Sequence, residues 1–222
     1  VHCGEMILER LVARHVCIDE IQDTLAQGVI PVVTSSYEEL LEQLHPDVVV
    51  DAILAKKNLG TTRLDAPFVI GVGPGFSAGR DVNVVIETMR GHNLGRCIYD
   101  GEAEPNTGIP GNVGGYTHER VIHSPKAGLF TAKRHIGDEV QANEVIGYVD
   151  EEPVRAKITG TLRGILKTGL IVSDHFKLAD VDARCEESHC YSISDKSLAI
   201  GGGVLEAVTA WDYERNKDGK HL

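Results

Sequence analysis

A chain of 222 residues with a net charge of −11 offers little to a phosphate backbone: no Lys/Arg run is longer than Lys56-Lys57, and its aromatics, 5% of residues, are too sparse for a single-strand stacking platform. With 42% apolar residues it can bury a core in two modest domains. The five cysteines, Cys3, Cys17, Cys97, Cys185 and Cys190, are odd in number and scattered, unlike a disulfide framework. No signal peptide and no apolar run near membrane-spanning length is present, so no membrane partner is expected and the cytoplasm is the expected location.

In chain order, residues 5–17 alternate apolar positions and predict a strand. Ile18, Ile21 and Leu25 recur at helical spacing, Asp19 is a cap, and Gly28 is a stop. Residues 29–33, VIPVV, predict a short buried strand. Ser35 or Ser36 then caps a helix through YEELLEQL, which Pro46 ends. The β-branched run at 47–54, DVVVDAIL, and PFVIGVG at 67–73 predict further strands, and strand–helix–strand succession predicts a parallel sheet. Asp51 inside a strand needs a partner. Residues 101–116, rich in Gly, Pro and Asn, read as a linker or a long ordered loop.

After Tyr116 the pattern changes to short strands and turns, and it repeats. Shifted by 32 residues, Val121–Asp150 falls on Pro153–Asp182, with five identities: Gly128/Gly160, Gly137/Gly169, Val140/Val172, Val149/Val181 and Asp150/Asp182. Ile122, Phe130 and Ile146 meet Val154, Leu162 and Leu178, so turn glycines and core positions align together. Two such halves resemble the barrel-sandwich hybrid of biotinyl and lipoyl domains, in which the modified lysine sits on the hairpin between halves. Here that connection is Asp150-Glu151-Glu152-Pro153, without a lysine, so no biotin or lipoate is expected. The fold class expected is α/β: a partial Rossmann-like parallel-sheet domain with linker over 1–116, a lysine-free barrel-sandwich hybrid over 117–184, and a C-terminal segment, 185–222, returning to the α/β domain.

Several constellations carry chemistry. GVGPGFSAG at 71–79 follows a strand, but the β-branched RDVNVVIETMRG after it does not open a helix, so a glycine-rich turn is the stronger reading and a nucleotide loop the weaker. ETMRGHNLGR at 87–96 groups Arg90, His92 and Asn93, which suit an anionic, hydrogen-bonding ligand or a solvated loop equally. Lys56 and Asn58 lie just beyond a strand's carboxyl end, where α/β ligands gather. In CEESHC, Cys185, His189 and Cys190 lack zinc spacing, and no metal is expected; Cys190 is either a reactive thiol or an inert buried one. Gly201, Gly202 and Gly203 precede VLEAVTAW, and as the start of a helix they would leave N–H groups for an anion, with Glu206 in the first turn.

Four segments, DVVVDAILAKKNLGT, APFVIGVGPGFSAGRDVNVVIETMRGHNLGR, PNTGIPGNVGGYTHERVIHSP and SISDKSLAIGGGVLEAV, together resemble the YqeB-type accessory proteins of the selenium-dependent molybdenum hydroxylase system, over residues 27–210. IGGGVLE also resembles a motif of XdhC-type molybdenum cofactor maturation proteins. The glycine-rich turn with which the YqeB-type family begins is not in this chain. The resemblance implies an intracellular bacterial maturation factor for the selenium-containing molybdenum cofactor, with a hydroxylase apoenzyme or cofactor-synthesis proteins as partners. A molybdopterin-type cofactor would find phosphate and pterin partners in Lys56, Asn58, Arg90, His92, Asn93, Gly201, Gly202, Gly203 and Glu206, and a thiol, in a catalytic role, in Cys190; a nucleotide is the other ligand considered. Two competing readings are an NAD(P)-dependent oxidoreductase and a non-catalytic interaction scaffold. The residues do not decide whether the protein is an enzyme.

Overall fold

The computed structural model describes residues 4–217; Cys3 and the end of the charged tail lie outside the described residues. It is a mixed α/β protein with several sheets and few helices. Two compact units divide it: residues through Thr107 with Ile193 onward, and Gly108–Ser192.

The first unit opens with strands β1 (Glu5–Leu8) and β2 (Leu11–His15), an antiparallel hairpin, where alternation predicted one continuous strand. The turn places Glu9 at φ 52, a conformation that carries no Gly or Asn signature here. A 3-10 turn at Ile18–Glu20 and α1 (Ile21–Ala26) lead to β3 (Ile30–Val32), parallel to β2. Next comes α2 (Tyr37–Leu44), capped by Ser36, whose Oγ accepts the Glu39 N–H at 3.2 Å. Strands β4 (Val48–Asp51), β5 (Phe68–Val72), β6 (Ser77–Ala78), β7 (Val84–Ile86), β8 (Cys97–Ile98) and β9 (Gly101–Glu102) follow.

The single parallel sheet expected over this region is instead two. β1-β2-β3 form one; β4-β5-β7-β8 form another, parallel except for β8; β6 and β9 pair separately. Pro31 in the middle of β3 has no N–H to offer a further neighbour, which suits it to an edge and ends the first sheet there. β5 is buried along its whole length, as its apolar run requires. One face of its sheet packs Phe68, Ile70, Val72, Val84 and Ile86 against Ile200, Val204, Ala207, Val208 and Trp211; the other packs Val69 and Val85 on Phe76, Ala78 and Val82. The first of these faces is covered by α3 (Asp195–Lys217).

α3 corrects the reading of the triple glycine. Gly201, Gly202 and Gly203 lie inside it, six residues from its first residue at the nearest, so they expose no helix-start N–H groups, and Glu206 is not in its first turn. The apolar contacts of Ile200, Val204 and Ala207 outweigh the cost of glycine in a helix, about 1 kcal/mol each.

The second unit contains β10 (Val121–His123), β11 (Gly128–Ala132), β12 (Glu139–Val140), β13 (Val145–Val149), β14 (Glu152–Arg155), β15 (Gly160–Ile165), β16 (Leu170–Val172) and β17 (Lys177–Asp182), then a 3-10 turn at Glu187–Cys190. The first four strands overlap the second four when the chain is shifted by 32 residues. The sheets obey the same exchange: β10-β17-β15-β12 becomes β14-β13-β11-β16. Both contribute to one core, centred on Phe130, Val140, Ile146, Leu162, Leu178 and Val181. A Cβ at Gly128 would strike Val149 and Asp150; one at Gly160 would strike Val181 and Asp182. Between the halves, Asp150 turns at φ 53, accepts the Leu129 N–H at 2.9 Å and pairs with Lys126 at 3.2 Å.

Candidate functional site

Beyond the carboxyl ends of β4 and β5, three loops meet. The first leaves β4 at Asp51, which is buried and has found its partners: Thr61 Oγ1 donates to it at 2.7 Å and the Ile53 N–H at 3.1 Å. Asn58 fastens the same loop. Its Nδ2 donates to the Thr61 carbonyl at 2.8 Å while its Oδ1 accepts the Gly60 N–H at 2.8 Å, so its amide serves the turn, and it does not line the cavity described below. The second loop carries Gly73, at φ +85, and Gly75, whose added Cβ would lie 2.6 Å from the Lys57 Cα. These glycines therefore permit a tight turn and a backbone-to-backbone approach, and β6, not a helix, follows them. The third loop is 103–106. Lys56, Pro74, Gly75, Glu102, Ala103, Glu104, Pro105 and Asn106 line a cavity of about 470 Å³ here.

Glu87 lies beside it at the end of β7, only 3% exposed. Its Oε1 accepts the N–H groups of Thr88 and Met89, both at 2.7 Å, and its Oε2 that of Glu104 at 2.9 Å. Arg90 is held by a two-pronged pair with Asp195, at 2.7 and 3.0 Å. Lys196, half-buried in the first turn of α3, has its pKa pushed down, first by burial and then by repulsion from Lys56 and Arg90; Glu87 acts in the opposite sense.

The other expected residues are distributed differently. His92 and Asn93 are exposed on the loop after Arg90 and do not line the cavity. Gly203 is buried where α3 crosses that loop, since a Cβ would overlap the Gly95 carbonyl, whereas Gly201 and Gly202 face open space. Glu206 is exposed near Cys97, whose thiol pKa is raised by burial and by Glu206 and whose Sγ donates to the Gly203 carbonyl at 3.2 Å. Cys190 belongs to the second unit, beside the Leu162 carbonyl at 3.8 Å, and burial pushes its thiol up. That is the setting of a packing thiol and the reverse of an activated nucleophile. Among the described residues, Cys185, His189 and Cys190 form no metal-sized cluster; Cys17, Asp19 and Glu20 do, exposed at a helix start where the Cys17 N–H already bonds Glu20 at 2.8 Å. No described helix is long and apolar enough to cross a membrane.

Of the expected residues Lys56 lines the cavity, whereas Arg90 pairs with Asp195 at the start of α3 and does not line it. Lys196 carries no local signal: its half-buried setting arises only because α3 brings its first turn back beside β7.

The fold and the site together define a mixed α/β protein with a cleft, lined by Lys56, Glu102 and Glu104, beyond its parallel strands. No family profile matches the chain. It is similar to the curated "Uncharacterized protein YqeB" of Escherichia coli (strain K12), 48% identical over 206 residues and 92% of this chain, which supports grouping it with YqeB-type proteins. The chain spans 38% of that relative's length. Among solved structures, an aspartoacylase family protein from Mesorhizobium loti aligns over 38% of this chain and 27% of its own at TM-score 0.28 and 16% identity. The ectoine utilization protein EutE (DoeB) from Ruegeria pomeroyi aligns over 73% and 61% at TM-score 0.26 and 14% identity.

Proposed function

We propose that this chain is the ligand-holding part of an accessory protein that prepares or inserts the selenium-containing molybdenum cofactor of molybdenum hydroxylases. The observation that carries the reading is the cleft: a cavity of about 470 Å³ at the carboxyl edge, lined by Lys56 and by loop backbone from three segments. The likeness to a YqeB-type protein supports the grouping on which the reading is built. A bound molybdopterin-type group supplies a phosphate, a pterin edge and a metal-holding dithiolene.

The residues present fit one end of such a group. Of the residues lining the cavity, Lys56 offers charge to a phosphate, and the loop backbone at Gly75 and Ala103–Asn106 offers polar groups to a pterin edge. Neither Cys97 nor Cys190 lines the cavity, so a thiol role in selenium chemistry finds no support at this cleft. In this reading Gly108–Ser192 is a hybrid barrel without a carrier lysine, serving the partner enzyme or the rest of the protein as a docking element.

The test is chemical. Protein purified from cells that make the cofactor should release molybdenum and a fluorescent pterin on denaturation, in amounts that fall when Lys56 is replaced by Met. Protein free of both, from cells with active hydroxylase, would sink the reading.

A further inference from the structure

We propose that Lys56 and Glu104 are the two ends of one small-ligand site: Lys56 takes a phosphate, and Glu104 accepts the paired N–H donors of an amino-oxopyrimidine edge, the edge that a pterin and a guanine share. The inference rests on the reading above that this cleft holds a ligand, and it names the side chain that meets each end.

The argument starts from the charged residues that line the cavity of about 470 Å³: Lys56, Glu102 and Glu104. Glu102 has a partner in Arg80, at 3.7 Å. Lys56 and Glu104 are opposite in sign and share the cavity, yet among the described residues neither side chain enters an ion pair. The backbone beneath each is fixed. The Glu104 N–H donates at 2.9 Å to Glu87, a carboxylate only 3% exposed that also holds the N–H groups of Thr88 and Met89. Lys56 sits at φ 64 and Leu54 at φ 60, left-handed conformations that cost a residue with a Cβ. Strain of that kind persists where packing enforces it, and it clusters at ligand sites. The enforcing contact is at hand: the Gly75 loop approaches the Lys57 backbone so closely that a Cβ would lie 2.6 Å from the Lys57 Cα.

A ligand that satisfies both residues carries acceptor oxygens at one end and hydrogen-bond donors at the other. The ammonium group is a compact donor of three N–H bonds, which suits phosphate oxygens. The carboxylate is planar and accepts only, and two parallel N–H donors match its two oxygens. An amino group beside a ring N–H presents such donors in one plane. Pro74, Ala103 and Pro105 also line the cavity and give apolar contact to the faces of a flat ring. Nothing in the sequence around Glu104 marks it; the meeting of the loops does.

Neopterin monophosphate is a fluorescent probe with both ends. The full chain should bind it, and two changes to the probe should each weaken binding by about tenfold or more, the scale of one charge-assisted hydrogen bond. One is removal of the phosphate. The other is replacement of the ring amino group by oxygen, which sets a carbonyl against the carboxylate. Each loss belongs to one residue. Lys56→Met should bind neopterin and its monophosphate alike while still preferring the amino ring to the oxo ring. Glu104→Gln should lose that ring preference, since its amide can turn an N–H toward the oxo group, while still preferring the phosphate. Both residues are exposed, so both variants keep the fold. A phosphate preference that survives in Lys56→Met, or a ring preference that survives in Glu104→Gln, overturns the pair. So does failure to bind either neopterin monophosphate or GMP. If GMP binds with both dependences and the pterin does not, the pair stands and the ligand is a nucleotide. Pterin released from purified protein in amounts unchanged by Glu104→Gln would keep the cofactor reading and remove this inference.

Discussion

The two units treat charge in opposite ways. In Gly108–Ser192 the acidic groups near the core are paired: Asp182 with Arg184 at 2.6 Å and Arg163 at 3.6 Å, Asp180 with Arg120 and Lys177, Asp150 with Lys126, and Glu144 with Arg134. Its apolar core is one cluster shared by two sheets. In the other unit, buried Glu87 is met by the backbone N–H groups of Thr88, Met89 and Glu104, and Lys56, Glu102 and Glu104 line the cavity beside it. One region pairs its acids with side-chain cations about a core; the other holds charged groups at a cavity, which is where ligands act.

The comparison breaks most readily in the core of the second unit. Phe130 is fully buried, and Phe130→Ala should destabilise that unit by about 3–5 kcal/mol. Hydrogen exchange should show the loss confined to Gly108–Ser192; equal loss of protection at Val69 and Ile70 would mean that the units fold as one.

Asp182→Asn should come next, at about 2 kcal/mol, since charge-assisted bonds from the partly exposed Arg184 are lost. The sign of its pH dependence is fixed. Hydrogen bonds from Arg184 hold the Asp182 carboxyl below its ordinary range, against the opposing pull of burial. Its contribution is therefore complete above the unfolded value of about 3.9 and fades as pH falls through the lower folded value. Denaturant midpoints between neutral and acid pH should converge for wild type and variant; a difference that persists at low pH would remove the carboxylate from the account.

Smaller still is Gly203→Ala, which forces a Cβ onto the Gly95 carbonyl and should cost about 1–3 kcal/mol despite alanine's better helix propensity. Its neighbour sharpens the contrast. Gly202 has open space where its Cβ would be, so Gly202→Ala should gain up to about 1 kcal/mol. A melting curve decides both: Gly202→Ala melting below wild type would mean that something unseen packs on that face.

Legibility in the sequence followed the reach of each signal. The duplicated strands were readable because turn glycines and core positions recur together, so local pattern and tertiary role coincide at Gly128/Gly160 and Phe130/Leu162. The helix after Ile193 was readable from Val204, Val208 and Trp211, but its start was not: glycine's usual role as a boundary masked a run that the sheet face recruits into the helix. The first sheet's break was hidden because Glu9 adopts its turn without a turn residue. At the site, Lys56 was readable from its place after a strand, whereas Asn58 shows the opposite error, a polar side chain that serves its own loop. Lys196 was beyond any local pattern, because only the return of α3 creates its neighbours.

The paired glycines on the open face of α3 also bear on mechanics. A 23-residue helix would ordinarily transmit displacement along its length like a stiff rod. At Gly201 and Gly202 no side chain braces the solvent side, so bending there is inexpensive. The segment carrying Asp195 and its Arg90 pair can then shift by tenths of an ångström while Ala207 and Trp211 stay seated on Phe68 and its sheet. The compliance of the helix start is thus set at Gly201 and Gly202, and a helix made rigid there would tie the motion of Asp195 to that of the sheet.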